Sequence, residues 1–202
     1  MIYFITVSLI IFILTFFFEF EVYGKENLPS KGAYIIASNH VSYFDPPIIA
    51  AGCYFRKLNF LAKKELFRHR LFGWYIRTLG AYPIKRKRGD ISAIKESIKR
   101  LKIGNPLVVF PEGGRSKDGK LQEGLPGIAF LATKENIPIV PAFIKGAEKV
   151  LSPESKKVNL HKIRVRFGEP FFLSKKDYGS YNEMSEKIMQ SIEETSHFFD
   201  KS

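Results

Sequence analysis

Short apolar runs alternate with segments of helical periodicity along most of this 202-residue chain, and this alternation restricts the possible folds more than any other feature. The strand-like runs are residues 33–38, 58–62, 82–84, 107–110, 139–144 and 163–167. Helical spacing of apolar residues marks residues 48–51, 65–79, 91–101, 127–133 and 181–198. Because the helices that connect strands must cover the faces of the sheet, the alternation predicts an α/β sandwich.

The composition is that of one folded domain in a reducing compartment. A hydrophobic fraction of 45% is ample for the core of a chain of this length. The single cysteine, Cys53, excludes an internal disulfide framework and offers no metal cluster, so no metal site is expected. Cys53 follows an apolar helix-like run and is therefore interpreted as a small buried hydrophobe rather than as a nucleophile.

The first 18 residues carry no charged side chain and are dominated by Ile, Phe, Leu and Val. As a helix they would extend for about 27 Å, just short of the roughly 30 Å hydrocarbon core of a bilayer. The segment lacks the basic start and the small-residue cleavage site of a signal peptide. We expect residues 1–20 to anchor the chain to a membrane, with a buried core helix as the alternative interpretation.

The formal net charge of +12 indicates an anionic partner, which can be nucleic acid, an anionic lipid or a phosphorylated substrate. The basic residues are scattered and form no nucleic-acid recognition motif, so membrane lipids are the expected partner and nucleic acid is not. Lys and Arg are abundant beyond residue 20, and positive segments remain on the cytoplasmic side of membranes. We therefore expect a membrane protein whose folded domain lies on the cytoplasmic face and binds anionic lipid.

His40 and Asp45 form the first candidate site. Residues five apart do not share a helix face, so the two side chains are expected on a loop. A histidine beside a carboxylate is a ready general base for a hydroxyl group. Asp45 also precedes Pro46 and Pro47, which is typical of a helix N-cap, and one carboxylate has enough oxygens for both roles.

A second candidate site follows the strand-like run at 107–110, and it has the sequence Phe110-Pro111-Glu112-Gly113-Gly114-Arg115-Ser116. Ligand sites in α/β folds gather where strands end. The two glycines permit close backbone approach, and the planar donor fork of Arg115 fits a phosphate or a carboxylate. The alternative interpretation is a tight turn with solvated Glu112 and Arg115.

A basic cluster at residues 85–88 closes the strand-like run at 82–84 and precedes a predicted helix start, where anions bind well. Arg86 is the phosphate candidate in this cluster. For Lys87 and Arg88, contact with lipid headgroups or solvent is the alternative.

These ordered blocks resemble the signature of the glycerolipid acyltransferases typified by 1-acylglycerol-3-phosphate acyltransferase. The signature is Asn-His-x4-Asp, matched by residues 39–45, followed by Phe-Pro-Glu-Gly-Thr-Arg-Ser, matched at 110–116 with Gly114 in place of Thr. Residues 80–86 and 137–141 are similar to the second and fourth blocks of the family. The resemblance spans residues 22–144 and departs from the pattern at Pro83 and Leu125 as well.

The resemblance implies a mixed central sheet flanked by helices, with an N-terminal hydrophobic membrane helix at residues 1–20 and an acyltransferase domain at 21–202. It implies transfer of a fatty acyl group from acyl-CoA or acyl-carrier protein to the sn-2 hydroxyl of 1-acylglycerol-3-phosphate, giving phosphatidate for phospholipid biosynthesis. No cofactor beyond this co-substrate is needed. Transfer to glycerol-3-phosphate or another lysolipid is an alternative, and a non-catalytic basic membrane-binding protein is a further one.

By resemblance, His40 removes a proton from the acceptor hydroxyl, and Asp45 orients the imidazole and stabilises its charge. The pocket for the acceptor phosphate is expected to contain Arg86, Glu112, Gly113, Gly114 and Arg115. Residues expected to support the motifs are Asn39, Pro111, Ser116, Pro138 and Pro141.

Overall fold

The structure is a computed structural model that describes residues 1–84, 91–151 and 157–200. The helices in this part of the chain are α1 Ile2–Phe18, α2 Asp45–Gly52, α3 Arg70–Thr78, α4 Ile91–Lys102, α5 Gly127–Glu135, α6 Ala147–Val150 and α7 Tyr181–Ser196. The strands are β1 Glu21–Tyr23, β2 Ile35–Ser38, β3 Asn59–Lys63, β4 Ala81–Ile84, β5 Leu107–Val109, β6 Ile139–Lys145 and β7 Arg164–Phe167. Short 3-10 helices occur at Lys25–Asn27, Lys64–Phe67 and His197–Asp200.

The strands form one sheet in the order β1-β7-β6-β2-β5-β3-β4. Neighbouring strands are parallel except β6 and β7, which pair antiparallel. The predicted mixed sheet flanked by helices is therefore confirmed. Because β2, β3, β4, β5 and β6 run in the same direction, their carboxyl ends meet at one edge of the sheet, and the loops after them share that edge.

Both faces of the sheet are covered, which explains why its central strands are continuously apolar. Ile36, Val108 and Val140 face a core shared with α1, α2 and α6. Their neighbours in the strands point to the other face, where Leu107 and Ile139 join a core shared with α4, α5 and α7.

The predicted helix at 65–79 is interrupted in the structure. Residues Lys64–Phe67 form a 3-10 turn, and α3 begins only at Arg70, with His69 as its N-cap. The His69 imidazole accepts a hydrogen bond from the Phe72 N–H at 3.3 Å, which provides a local start signal that the apolar spacing did not reveal. The sequence also gave no signal for β1 or α6, which are three and four residues long.

The N-terminal apolar segment does form a helix, and α1 packs one face against α2. Tyr3, Val7, Leu14 and Phe18 are buried on that face. The opposite face exposes large apolar side chains, namely Ile2, Phe4, Ile5, Leu9, Phe12, Ile13, Phe16 and Phe17. Among the described residues, no helix combines the length and the apolar character that crossing a bilayer requires.

Hydrogen bonds fix α1 to the rest of the fold. The Tyr3 hydroxyl donates to the Arg56 carbonyl and accepts from the Leu58 N–H, both at 3.1 Å. Burial raises the pKa of Tyr3 to about 12, so this hydroxyl keeps its proton over the physiological range. The Thr6 and Tyr75 hydroxyls are 3.0 Å apart, and this contact joins α1 to α3.

Candidate active site

Asn39 extends the pairing of β2 with β6 beyond the last backbone pair and so fixes the start of the His40 loop. Its side-chain Oδ1 accepts from the Ile144 N–H at 2.8 Å, and its Nδ2 donates to the Ile144 carbonyl at 2.9 Å. An amide side chain carries one acceptor and donors together, which this backbone-like pairing requires. His40 therefore leaves the sheet at its carboxyl edge with a fixed backbone.

His40 and Asp45 form a buried pair. The imidazole Nδ1 lies 2.7 Å from Asp45 Oδ2, and the Asp45 side chain is fully buried. The same Oδ2 accepts from the Val41 and Ser42 N–H groups at 2.7 and 2.8 Å. These donors offset part of the cost of burying a carboxylate, whose Oδ1 has no hydrogen-bond partner within the described residues. Because the carboxylate only accepts, Nδ1 carries the proton, and Nε2 is left to accept one from a substrate.

The interpretation of Asp45 as a helix N-cap is wrong. Helix α2 begins at Asp45 itself, Phe44 is its N-cap, and no side chain caps it. Of the two amides that a cap at Asp45 would bind, Pro47 has no N–H and the Ile48 N–H donates to the Phe44 carbonyl at 2.9 Å. The carboxylate therefore turns back towards the loop and bonds its amides, which is the arrangement that places it against the imidazole.

The loop after β5 is attached to the His40 backbone on both sides. Glu112 Oε1 accepts from the His40 N–H at 2.9 Å, and the Ser116 N–H donates to the His40 carbonyl at 2.7 Å. The Phe110 ring stacks on the imidazole, with centroids 4.0 Å apart and an interplanar angle of 16°. The two sequence blocks, some 70 residues apart along the chain, therefore form one site.

Glu112 orders this loop. Its second oxygen, Oε2, accepts from the Gln122 N–H at 3.3 Å. Burial is the main cause that raises the Glu112 pKa; the two backbone hydrogen bonds oppose it, and the charge of Asp45 adds to it. The carboxylate thus serves a structural function beside the histidine.

Replacement of Glu112 separates its acceptor function from its charge. Glu112→Ala leaves the buried His40 N–H unpaired, and we expect a loss of about 1–3 kcal/mol in the free energy of unfolding. Glu112→Gln keeps an acceptor, so its free energy of unfolding should fall by less. Because the raised pKa means that the folded state binds the proton more tightly, wild type should lose stability relative to Glu112→Gln as pH rises through the carboxyl range. Urea unfolding over a pH series measures both effects; an equal loss in both variants at every pH would contradict this assignment.

Arg115 lies in the same loop, and its guanidinium carbon is 3.5 Å from the centroid of the Tyr43 ring. Its Nη1 is buried and has no hydrogen-bond partner within the described residues. A buried guanidinium N–H is costly unless an acceptor is supplied, and a phosphate oxygen would supply one. Sequence reasoning missed Tyr43, and the only signal for it was that an aromatic residue lies inside the histidine block.

The two loop glycines differ in what they permit. Gly113 has φ of +69°, and an added Cβ would lie 2.6 Å from Leu125 Cδ1, so both backbone and space favour glycine there. A Cβ on Gly114 would meet no heavy atom within 4 Å. The threonine that the resemblance leads one to expect at this position would therefore fit.

The remaining predicted residues are structural or outside the described part. The Pro111 carbonyl accepts from the Leu125 N–H at 2.8 Å, and the buried Ser116 donates through its hydroxyl to Asp118 at 2.9 Å. Pro141 pairs with Ala37 within the sheet. Pro138 lies just before the amino end of β6, at the edge opposite His40, and its carbonyl accepts from the Ile35 N–H. Arg86 lies outside the described residues.

Cys53 is buried and its sulfur lies 3.1 Å from the Tyr34 hydroxyl, so its interpretation as a buried apolar residue is confirmed. Burial raises the pKa of the Cys53 thiol to about 11, which keeps it protonated and inert as a nucleophile. Among residues 1–84, 91–151 and 157–200, no group of three or more His, Cys, Asp or Glu side chains is arranged to hold a metal ion.

Comparisons with known proteins point to one family. Residues 19–145 match the acyltransferase family model. The 1-acyl-sn-glycerol-3-phosphate acyltransferase of Bacillus subtilis is 34% identical over 153 residues, covering 74% of this chain and 72% of that protein. The chloroplastic protein of the same name from Brassica napus is 31% identical over 181 residues, covering 87% of this chain and 52% of its own. The chain spans about half the length of this and the Arabidopsis thaliana relative.

A solved structure has the same fold. The 1-acyl-sn-glycerophosphate (LPA) acyltransferase PlsC from Thermotoga maritima superposes with a TM-score of 0.79 at 27% sequence identity. The match covers 95% of this chain and 79% of that one, so it extends over most of the fold.

Proposed function

This chain belongs to the acyltransferase family, and from that premise we propose that it transfers a fatty acyl group to the sn-2 hydroxyl of 1-acylglycerol-3-phosphate, giving phosphatidate. The observation that carries the proposal is the buried His40–Asp45 pair, which leaves one imidazole nitrogen to act on a hydroxyl. The attached loop with Arg115 adds an anion-binding group to the same site.

In the proposed reaction, His40 Nε2 takes the proton of the acceptor hydroxyl, and the hydroxyl oxygen attacks the carbonyl carbon of an acyl thioester. A C–O bond forms, the C–S bond breaks, and the proton held by His40 passes to the departing sulfur. Asp45 holds the ring through Nδ1 and stabilises the imidazolium. Base catalysis of this kind contributes about 10²- to 10⁴-fold in rate, so substrate positioning and oxyanion stabilisation must supply the remainder.

We assign the acceptor phosphate to Arg115, with Gly113 and Gly114 giving it room and Glu112 ordering the loop. The unpartnered Nη1 supports this assignment, and so does the stacked Tyr43 ring, which holds the guanidinium plane. Arg86 remains a predicted contributor. Acyl-CoA and acyl-carrier protein remain the two proposed donors.

Arg115→Ala is expected to raise the KM for lysophosphatidate by about 10- to 100-fold, because charged hydrogen bonds contribute about 1.5–3 kcal/mol. The KM for the acyl donor should be unchanged. Arg115→Lys keeps the charge without the planar fork, so its KM for lysophosphatidate should lie between those of wild type and Arg115→Ala. Lys117→Ala, on the same loop, is the matched control. Initial rates with each substrate varied in turn measure these constants; an effect confined to the acyl donor would place the phosphate elsewhere.

We propose that the protein works on a membrane, with α1 lying at the lipid surface and the catalytic domain on the cytoplasmic face. The support is the exposed apolar face of α1 together with the net charge of +12, which favours anionic lipid.

The test of the activity is acyl transfer by purified, detergent-solubilised protein. Labelled acyl-CoA and acyl-carrier protein are offered with lysophosphatidate, glycerol-3-phosphate and other lysophospholipids. Phosphatidate formed from lysophosphatidate is the expected product. Preference for another acceptor would change the assigned substrate. Absence of transfer from either donor would overturn the proposal in favour of a non-catalytic membrane-binding protein.

A further inference from the structure

The surface after β3 exposes large apolar side chains among basic ones. Leu71 is 75% and Trp74 58% exposed, and Leu66 and Phe72 are also exposed. Between residues 63 and 77 the chain has five Lys or Arg residues and a single acidic residue, Glu65. Contiguous exposed apolar side chains on a protein surface mark a partner site.

Helical geometry brings cations and apolar groups together on one side of α3. Arg70, Trp74 and Arg77 recur at helical spacing, and Leu71 lies three residues before Trp74. Gly73 is buried against the backbone of Phe67, and the Arg77 guanidinium carbon lies 4.7 Å from the centroid of the Phe67 ring. We call the exposed set Arg70, Leu71, Trp74 and Arg77 the α3 surface. Aromatic and aliphatic groups interleaved with arginine suit a bilayer interface, where the rings enter the headgroup layer and guanidinium groups bind phosphates.

The α3 surface lies beside the exposed face of α1. The Thr6–Tyr75 hydroxyl contact joins the two helices, and Tyr3, Val7 and Leu79 pack in one cluster between them. Helix α1 has no charged side chain, while α3 contributes the cations. The two helices therefore complement each other towards an anionic bilayer.

The segment also begins at the edge of the sheet that carries the site. Strand β3 is parallel to β5, so Lys63 at the carboxyl end of β3 lies on the side of the loop that carries Arg115. A bilayer in contact with residues 63–77 would thus lie beside the opening of the site, where a lipid substrate must enter.

We propose that the α3 surface is a second bilayer-contacting element, which inserts Leu71 and Trp74 into the headgroup region and binds anionic lipid through Arg70 and Arg77. The proposal rests on the proposed function for its lipid partner and adds the element that selects lipid charge. It gives the chain two contacts with the bilayer, of which α1 supplies the apolar one.

Trp74 is the only tryptophan of the chain, so its fluorescence reports on this surface alone. Vesicles of phosphatidylcholine mixed with phosphatidylglycerol, with and without bromine-labelled acyl chains, are added to the full-length protein. We expect the Trp74 emission to shift to the blue and to be quenched by the brominated lipid. Co-sedimentation of the protein with these vesicles while Trp74 stays unshifted and unquenched would overturn the proposal, because binding would then rest on other surfaces.

Charge variants test the headgroup contact. Arg70→Gln/Arg77→Gln should weaken binding to the mixed vesicles by about five-fold for each arginine and leave binding to pure phosphatidylcholine vesicles unchanged. Lys99→Gln/Lys134→Gln removes two exposed cations from α4 and α5, on the other face of the sheet, and should have a much smaller effect. Equal losses of vesicle binding in the two double variants would show that only the net charge matters and would overturn the assignment to α3.

Transfer activity in detergent micelles separates this proposal from the proposed function. Arg70→Gln/Arg77→Gln should retain wild-type rates there, because neither arginine belongs to the site. Absence of transfer in wild type would refute the activity while leaving the fluorescence result to judge the surface.

Discussion

His40→Ala is expected to lower the rate of acyl transfer by about 10²- to 10⁴-fold while the chain stays folded. The side chain supplies the only imidazole held by a buried carboxylate in the described residues, so no neighbour replaces its Nε2. Its backbone groups, by contrast, carry the bonds to Glu112 and Ser116, and these remain after truncation. The measurement is kcat with lysophosphatidate and each acyl thioester, beside a urea-unfolding curve.

A matched control is His161→Ala, which removes an exposed imidazole far along the chain. It should leave kcat unchanged. If His40→Ala turned over at a rate close to wild type, the base would be another group and the proposed mechanism would be wrong. If it lost activity and also unfolded, His40→Gln, which is nearer in volume, would separate the two causes.

The layers of this fold were predictable because the central strands are buried on both faces. Runs such as 107–110 and 139–144 are apolar without interruption, and such runs identify strands without knowledge of their partners. Strand β1 gave no such signal, because its three residues are half-buried and are held by pairing with β7, 143 residues later. The break before α3 depended on a single capping contact from His69.

The site was predictable in its residues and not in its contacts. The spacing of His40 and Asp45 indicated that they do not share a helix face; in the structure His40 lies on the loop after β2, and Asp45, the first residue of α2, contacts it. The cap interpretation failed because Pro47 has no N–H and the Ile48 N–H bonds the Phe44 carbonyl, and only the first of these reasons can be read from the sequence. The bonds from Asn39 to Ile144 cannot be inferred from local pattern, because they depend on the order of strands in the sheet.

Tyr43 shows the same limit at shorter range. It is exposed and has no periodic partner, so only the fold shows that it stacks on Arg115. Recognition of the arginine block was possible from its glycines and its place after a strand. Tyr43, the group that holds the arginine, could not be recognised in this way.

Asp45→Asn is expected to lower kcat by about 10²- to 10⁴-fold with only a modest loss of stability, because it removes the charge and keeps the shape. In a His–Asp pair of the same type, the corresponding amide substitution costs about 10⁴ in kcat. The asparagine oxygen can still accept from Val41 and Ser42, so the loop should keep its form. What is lost is stabilisation of the imidazolium that forms as His40 takes the proton.

Asp45→Ala is the contrasting variant. It leaves two buried backbone N–H groups and the imidazole N–H without an acceptor, each at a cost of about 1–3 kcal/mol, so both stability and rate should fall.

The double variant His40→Ala/Asp45→Asn should be no slower than His40→Ala alone, since the carboxylate acts through the imidazole and such effects are not additive. Rates for the single and double variants, with urea unfolding beside them, measure both quantities. Full activity in Asp45→Asn would reduce Asp45 to a loop-holding group, and a further loss in the double variant would give it a role that does not pass through His40.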